Sequence, residues 1–200
     1  MVGDPQIQLL LALLIGYLLG SIPFGLLLTR FAGKGDVRKV GSGNIGATNV
    51  LRAGGKWLAA ATLVLDALKA TAAVLIARQF WPGTESFAAA GALIGHLYPV
   101  WLKFRGGKGL ATYFGLLIPL FPIGAAIYAA VWIAALAIVR ISSVAGMLAA
   151  VSAPVAAALF NKDGLFPMLL GFTLLVLWRH HENILRLKAG TEPKIGKRSG

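Results

Sequence analysis

The sequence predicts an all-α, polytopic membrane protein of about seven transmembrane helices, in which the fourth helix is short and spans only half of the bilayer. Hydrophobic residues make up 58% of the 200 residues and charged residues only 13%, proportions that exclude an ordinary soluble domain. Most of the apolar runs reach the length of about 20 residues that crosses a hydrocarbon core of about 30 Å. The runs cover residues 7–28, 57–77, 87–102, 110–139, 141–160 and 165–178.

The distribution of positive charge decides how often the long run 110–139 crosses the membrane. As one straight helix it would measure about 45 Å, and Pro119 and Pro122 interrupt it. A single crossing would divide the loop cations 10 against 8, whereas two crossings collect 16 on one side and leave only Arg78 and Lys162 on the other. Because cytoplasmic loops carry an excess of Lys and Arg, we predict a break at the prolines, an external N-terminus and a cytoplasmic C-terminus.

Composition also excludes several function classes. Cysteine is absent, so disulfides, thiolate chemistry and cysteine metal sites are ruled out. The cations that give the net charge of +12 lie between the apolar runs, where they set the orientation of the chain in the membrane. We therefore expect no nucleic-acid partner. The histidines and seven acidic residues form no H-E-x-x-H or paired-carboxylate pattern, so we expect neither a metal nor a cofactor. We expect residues 1–200 to form a single integral-membrane domain with a short, basic, partly mobile tail at 188–200.

The first polar segment, residues 41–52, reads GSGNIGATNVLR and follows the first apolar run. Its glycines permit tight backbone curvature, and its hydroxyl, amide and guanidinium groups suit a phosphate or a polyol. A solvated turn would use the same residue types, but the density of polar side chains favours a ligand-binding loop. The candidate substrate residues here are Ser42, Asn44, Asn49 and Arg52.

The second polar segment, residues 95–109, reads GHLYPVWLKFRGGKG and joins two apolar runs. Glycines allow backbone N–H groups to converge and the cations supply charge, so the segment predicts an anion cradle at the membrane surface. In the alternative, the cations only bind lipid headgroups and fix the topology. The segment lacks the spacing and the terminal Ser/Thr of a P-loop. The candidates are Lys103, Gly106, Gly107, Lys108 and Gly109, together with His96, for which packing and substrate contact are both open.

The third polar segment, residues 179–192, extends the last apolar run. On a continuous helix, His180, Asn183 and Leu187 would share one face. The adjacent His180 and His181 would face differently and would not chelate one metal together. Cations at this end of a helix also simply complement its dipole. The candidate residues are His180, Asn183, Arg186 and Glu192.

A few polar residues lie inside or beside the apolar runs. Asp66 and Lys69 are spaced i, i+3 and can neutralise each other, so a structural ion pair beneath the site is favoured over a direct functional role. Pro23 predicts a kink in the first helix near the first polar segment. Ser143 follows Arg140 on the predicted cytoplasmic side and is a further candidate for substrate contact, whereas Arg140 is a topology anchor.

With these segments in this order, the chain resembles the bacterial acyl-phosphate:glycerol-3-phosphate acyltransferases of phospholipid synthesis over nearly its whole length. Residues 41–52, 95–109 and 179–192 look like the first, second and third motifs of that family. Residues 19–23 and Asp66-x-x-Lys69 resemble its flanking features. Ala70 departs from the glycine expected after the helix lysine, which bears on packing more than on chemistry.

The resemblance implies transfer of a fatty acyl group from acyl phosphate to the sn-1 hydroxyl of glycerol 3-phosphate, giving lysophosphatidate and inorganic phosphate at the bacterial inner membrane. The implied partners are both substrates, the lipid bilayer and the soluble enzyme that makes acyl phosphate. Lys103, Lys108 and the 106–109 amides would hold phosphate. The groups that would orient or complete the substrate site are Ser42, Asn44, Asn49, Arg52, His180 and Asn183, with Ser143, Arg186 and Glu192 as further contacts.

The sequence lacks the His-x-x-x-x-Asp pair of acyl-CoA-dependent glycerolipid acyltransferases. The positions five residues after the histidines are Trp101, Leu185 and Arg186. An acyl phosphate is a mixed anhydride with a good leaving group, so positioning and charge stabilisation can supply much of the acceleration. We favour a substrate phosphate oxygen as the proton acceptor, with His180 as the alternative.

Two other classes of membrane protein are weighed against this interpretation. A small transporter for an organic phosphate would also use basic loops and a broken helix, but it predicts polar residues at mid-membrane from several helices. A CDP-alcohol phosphotransferase would need an aspartate-rich metal motif, which the seven scattered acidic residues do not provide. The transporter remains the alternative.

Overall fold

The computed structural model describes residues 4–195, which form ten α-helices and two short 3₁₀ helices without a strand in that range. The first seven elements are α1 (Pro5–Gly20), α2 (Phe24–Phe31), a 3₁₀ helix (Val37–Lys39), α3 (Ala47–Gly54), α4 (Lys56–Phe80), α5 (Glu85–Leu97) and a second 3₁₀ helix (Val100–Leu102). The others are α6 (Leu110–Leu120), α7 (Pro122–Val139), α8 (Ser142–Leu159), α9 (Phe166–Arg179) and α10 (His181–Lys188). Residues 196–200 of the predicted mobile tail lie outside the described residues.

The prediction of an all-α membrane protein is confirmed. Four helical segments are long and apolar enough to cross a membrane: Pro5–Phe31, Lys56–Phe80, Pro122–Val139 and Ser142–Leu159. Leu110–Leu120 and Phe166–Arg179 are shorter apolar helices. The predicted break in the run 110–139 is confirmed, because α6 ends at Leu120 and α7 begins at Pro122. With 11 residues, α6 measures about 16 Å, so it is the short fourth helix of the prediction.

The predicted kink at Pro23 is a complete break between α1 and α2. Proline has no backbone N–H and cannot continue the hydrogen-bond ladder. The Ser21 hydroxyl donates to the carbonyl of Leu18, and the ammonium of Lys69 donates to the carbonyl of Ile22 at 2.7 Å. Backbone groups freed inside an apolar segment need such partners, because lipid supplies none.

One apolar run and the third polar segment differ from the helices that the sequence predicted. The third run continues to Leu102, but α5 ends at Leu97. Tyr98 precedes Pro99, and a residue before proline is disfavoured in the helical region. The continuous helix assumed through residues 179–188 is also wrong, since α9 ends at Arg179 and α10 begins at His181.

Helices α1 and α5 pack backbone against backbone. At four glycines, an added methyl group would overlap a carbonyl of the opposite helix, so only glycine permits this approach. The four glycines are Gly16 and Gly20 on α1, which face Ala88 and Ala92, and Gly91 and Gly95 on α5, which face Leu13 and Tyr17. This contact sets the register between α1 and the segment that follows α5.

The chain divides into two compact units, with the boundary between Leu120 and Phe121. In the N-terminal unit, α4 packs against α1, α5 and α6, and the Thr71 hydroxyl donates to the carbonyl of Gly115 at 2.7 Å. In the C-terminal unit, α8 packs against both α7 and α9 through a face of buried alanines. The single domain expected for residues 1–200 stays a prediction.

Candidate functional site

Asn49 organises the first polar segment. Its side chain is buried, and its amide oxygen accepts a hydrogen bond from the Ser42 backbone N–H at 3.1 Å. Gly41, at φ +56°, passes so close that an added methyl group would lie 2.5 Å from that oxygen. The amide nitrogen donates at 2.8–2.9 Å to the carbonyls of Val37, Val40 and Asn44. Because its amide hydrogens are engaged inside the loop, Asn49 shapes the loop and does not offer them to a substrate.

The loop that Asn49 shapes presents two of the other predicted residues to the surface. Ser42 and Arg52 are both exposed. The side-chain oxygen of Asn44 accepts from the Gly46 N–H at 2.8 Å, which forms a tight turn before α3. The Ser42 hydroxyl and the Arg52 guanidinium are therefore accessible to a substrate.

An acidic clamp, missed by the sequence analysis, precedes this loop. The carboxylate of Asp36 accepts from the backbone N–H and the guanidinium of Arg38, and from the guanidinium of Arg30. The Arg38 hydrogen bond is the largest cause that holds the pKa of Asp36 well below its usual range. Asp36 also caps the 3₁₀ helix Val37–Lys39, so the Asp-x-Arg spacing was the available signal.

Three hydrogen bonds, to Tyr17 on α1 and to Ser21 just after it, hold the start of the second polar segment. The Tyr17 hydroxyl donates to the Tyr98 carbonyl at 2.9 Å and accepts from the Val100 N–H at 3.0 Å. The indole N–H of Trp101 donates to the carbonyl of Ser21 at 2.8 Å. The sequence analysis did not identify these contacts, because they join positions about 80 residues apart.

The backbone turns sharply at Lys103. Lys103 and Phe104 have φ values of 52° and 61°, so two consecutive non-glycine residues adopt the left-handed conformation. Such conformations cost free energy, persist only where the surroundings impose them, and concentrate at functional sites. Both side chains are exposed. The turn thus projects Lys103, which the sequence analysis expected to hold phosphate, outward from a segment whose preceding residues are fixed to α1.

Gly106 and Gly107 pack against the end of α5. Their N–H groups donate to the carbonyls of Leu97 and His96 at 3.1 and 3.0 Å. A methyl group at Gly106 would overlap the His96 carbonyl, and one at Gly107 would overlap the His96 imidazole. These two amides therefore hold the loop together. Phosphate binding by the 106–109 segment stays a prediction, for which Lys108 supplies the positive charge.

The predicted Asp66–Lys69 ion pair is present, at 2.7 Å, and it includes a third residue. The Lys69 ammonium lies 2.9 Å from Nδ1 of His96, and all three side chains are buried. His96 is thus part of the protein interior beneath the glycine loop, which favours the packing role over direct substrate contact.

Glu192 is the centre of the third polar segment. One carboxylate oxygen accepts from the Ser143 hydroxyl and the Asn183 amide, both at 2.6 Å, and the other accepts from the Arg186 guanidinium at 2.7 Å. Burial alone would raise the pKa of Glu192, but the three hydrogen bonds outweigh it and hold the pKa below its usual value. Four predicted residues therefore form one cluster, in which Glu192 orients Ser143 and Asn183.

His180 is buried at the break between α9 and α10. Its Nδ1 lies 2.7 Å from the Val176 carbonyl, and because a carbonyl can only accept, Nδ1 carries the hydrogen. In the neutral imidazole, Nε2 is then the acceptor nitrogen. His181 is exposed and bonds to the Trp178 carbonyl, which confirms that the two histidines face differently.

Comparisons with known proteins identify the family of the chain. The family model described as glycerol-3-phosphate acyltransferase matches residues 10–190. Proteins named glycerol-3-phosphate acyltransferase from Mesorhizobium japonicum and Rhodopseudomonas palustris are 58% and 56% identical to the chain. Each alignment covers 94% of the chain, together with 96% and 95% of the two relatives.

Solved structures of PlsY (YgiH), an integral membrane glycerol 3-phosphate acyltransferase, share the fold. Its glycerol 3-phosphate form gives a TM-score of 0.89 at 36% identity, over 94% of this chain and 96% of that one. Its lysophosphatidic acid form gives 0.86 at 35% identity, over 94% and 95%. The chain belongs to the glycerol-3-phosphate acyltransferase family, as its three polar segments indicated.

Proposed function

We propose that this protein transfers a fatty acyl group from acyl phosphate to the sn-1 hydroxyl of glycerol 3-phosphate, releasing lysophosphatidate and inorganic phosphate. Family membership supports the acceptor and the product, because the matching PlsY structures are glycerol 3-phosphate and lysophosphatidic acid forms. The acyl phosphate donor is supported by the absence of a His-x-x-x-x-Asp pair in the sequence. The transporter alternative finds no support in a family of acyltransferases.

One observation carries the proposal: the exposed Lys103 on a left-handed turn whose preceding residues are fixed to α1. A lysine held in this way supplies a positioned positive charge to an anionic substrate. Ser42 and Arg52 supply a hydroxyl and a guanidinium from the first polar segment of the same unit. Both substrates carry a phosphate, which accounts for several separate cationic groups.

The chemistry needs no covalent intermediate with the protein. The acceptor hydroxyl oxygen forms a bond to the acyl carbon, and the bond from that carbon to the phosphate oxygen breaks with its electron pair going to phosphate. The hydroxyl proton passes to a phosphate oxygen of the substrate. Lys103 and the other cations stabilise the charge that develops on the carbonyl and on the leaving phosphate.

The C-terminal unit offers a second proton acceptor. Because Nδ1–H of His180 is donated to the Val176 carbonyl, its Nε2 is the nitrogen that can accept a proton. We retain the substrate as the acceptor, and His180 and Asn183 as substrate contacts. If His180→Gln keeps most of its turnover with an unchanged pH profile, an obligatory histidine base is ruled out.

We further propose a location in the bacterial cytoplasmic membrane, with the N-terminus outside and the three polar segments and the C-terminus in the cytoplasm. The unequal distribution of Lys and Arg supports this orientation. A cytoplasmic site would receive acyl phosphate from the soluble enzyme that makes it, which is the partner we propose.

The decisive experiment supplies purified protein in lipid nanodiscs with acyl phosphate and radiolabelled glycerol 3-phosphate, without added metal. Lysophosphatidate and inorganic phosphate should appear in equal amounts. A parallel reaction with acyl-CoA should give no product. Product formed only from acyl-CoA, or no product from either donor, would contradict the proposal.

A further inference from the structure

The buried cluster formed by Asp66, Lys69 and His96 has a use beyond neutralising charge. An ammonium has three N–H donors, and three partner atoms lie within 2.9 Å of Nζ of Lys69, two of them in hydrogen bonds and one in an ion pair. They are the Asp66 carboxylate at 2.7 Å, the Ile22 carbonyl at 2.7 Å and His96 Nδ1 at 2.9 Å. Burying a charge in an apolar helix costs free energy unless the charge is paired and hydrogen-bonded. Here one cation joins the α1–α2 break, α4 and the end of α5.

This arrangement determines where the hydrogen of His96 resides. Lys69 as an ammonium can only donate, so His96 Nδ1 must accept, and the ring then carries its hydrogen on Nε2. A doubly protonated imidazole would direct its Nδ1–H at an ammonium and is excluded beside it. Asp66, whose carboxylate lies 2.7 Å from Nζ of Lys69 and 3.7 Å from the same Nδ1, favours the charged form of Lys69.

The Nε2 edge of His96 faces the glycine loop. A methyl group added at Gly107 would overlap Nε2, and the Gly107 N–H donates to the His96 carbonyl. The ring and backbone of His96 therefore contact the loop just before Lys108. A change in the ring tautomer would turn Nε2 of His96 from a hydrogen-bond donor into an acceptor where the ring faces the glycine loop.

We propose that Lys69, held by Asp66, is a positioning residue that fixes His96 in its Nε2–H tautomer and thereby holds the 106–109 loop in its substrate-binding conformation. The substrate part of this proposal rests on the proposed function above. The tautomer part does not, and it can be tested without turnover.

The first test reads the tautomer directly. The chain has three histidines, so a ¹⁵N-histidine spectrum in nanodiscs is simple to assign by comparison with His96→Gln. Wild-type His96 should show an unprotonated Nδ1 and a protonated Nε2. The double variant Asp66→Asn/Lys69→Met, in which neither charge remains unpaired, should lose this fixed tautomer. An Nδ1–H tautomer or an imidazolium in the wild type overturns the proposal, as does an unchanged His96 signal in the folded double variant.

The second test separates positioning from packing. In His96→Gln the amide nitrogen can replace Nε2–H, whereas in His96→Asn it reaches only to the position of Nδ1. We expect His96→Gln to retain at least about tenfold more kcat/KM than His96→Asn, mainly through KM for a phosphate substrate. Thr173→Val in α9, which removes a buried hydroxyl that does not belong to the cluster, is the matched control. Equal kcat/KM for the two His96 variants overturns the positioning role, whereas a wild type without turnover contradicts only the proposed function.

Discussion

The Tyr17 hydroxyl donates to the carbonyl of Tyr98, 81 positions along the chain, and accepts from the backbone N–H two residues later. One hydroxyl on α1 thus holds two backbone groups of the segment that leads to Lys103. We expect Tyr17→Phe to lower kcat/KM by about tenfold, while the free energy of unfolding falls by only about 1–2 kcal/mol. Ser152→Ala is the control, since its hydroxyl bonds only within α8. Unchanged kinetics in Tyr17→Phe would show that the bridge does not position Lys103.

Lys103→Ala tests the exposed cation itself. Because the side chain is exposed, its removal should leave the thermal unfolding midpoint unchanged. If the charge stabilises the transition state, kcat should fall by about 100-fold or more. Lys162→Ala, an exposed lysine predicted on the opposite side of the membrane, is the matched control and should keep full activity. Loss of the fold in Lys103→Ala, or turnover near the wild-type value, would contradict the assignment.

Gly106→Ala and Gly107→Ala should differ in their effects. At Gly106 the new methyl group overlaps the His96 and Leu97 carbonyls. These are backbone atoms, so relieving the overlap would require the backbone to shift at a large cost in free energy. At Gly107 it meets the His96 side chain, which can rotate at the expense of its hydrogen bond to Lys69. We expect a larger fall in the unfolding midpoint for Gly106→Ala, and mainly lost activity for Gly107→Ala. Gly171→Ala, with open space around it in α9, should stabilise by about 0.5–1 kcal/mol or leave stability unchanged.

Glu192 predicts an acid-sensitive C-terminal cluster. Its pKa is lowered in the folded protein, so its contribution to stability is complete above the usual value of 4.5 and is lost as pH falls below it. Glu192→Gln removes the ion pair with Arg186 and should lower the free energy of unfolding at pH 7 by about 1–3 kcal/mol. Unfolding measured from pH 7 to pH 3.5 should show a smaller loss for the variant. Parallel curves for the two proteins would contradict this role.

The sequence by itself determined the features that depend on composition and on local chemistry. Hydropathy and charge placed the helices and the short fourth helix, because crossing lipid requires about 20 apolar residues in a row. The breaks at Pro23 and Pro122 follow from the missing N–H of proline. The polar segments were evident because so many glycines and cations are unusual beside apolar runs.

Only the tertiary structure decided which polar groups meet and which remain accessible. Asn49, Gly106 and Gly107 looked like ligand groups, yet their donors bond within the protein. Residue spacing could not reveal that Ser143 bonds to Glu192, 49 positions away, or that Lys69 bonds to His96. Such pairs depend on how close two helices come, and here backbone contact at the α1–α5 glycines sets that distance in the N-terminal unit. A local sequence pattern shows which polar groups are present, whereas tertiary packing determines the hydrogen-bond partner of each group.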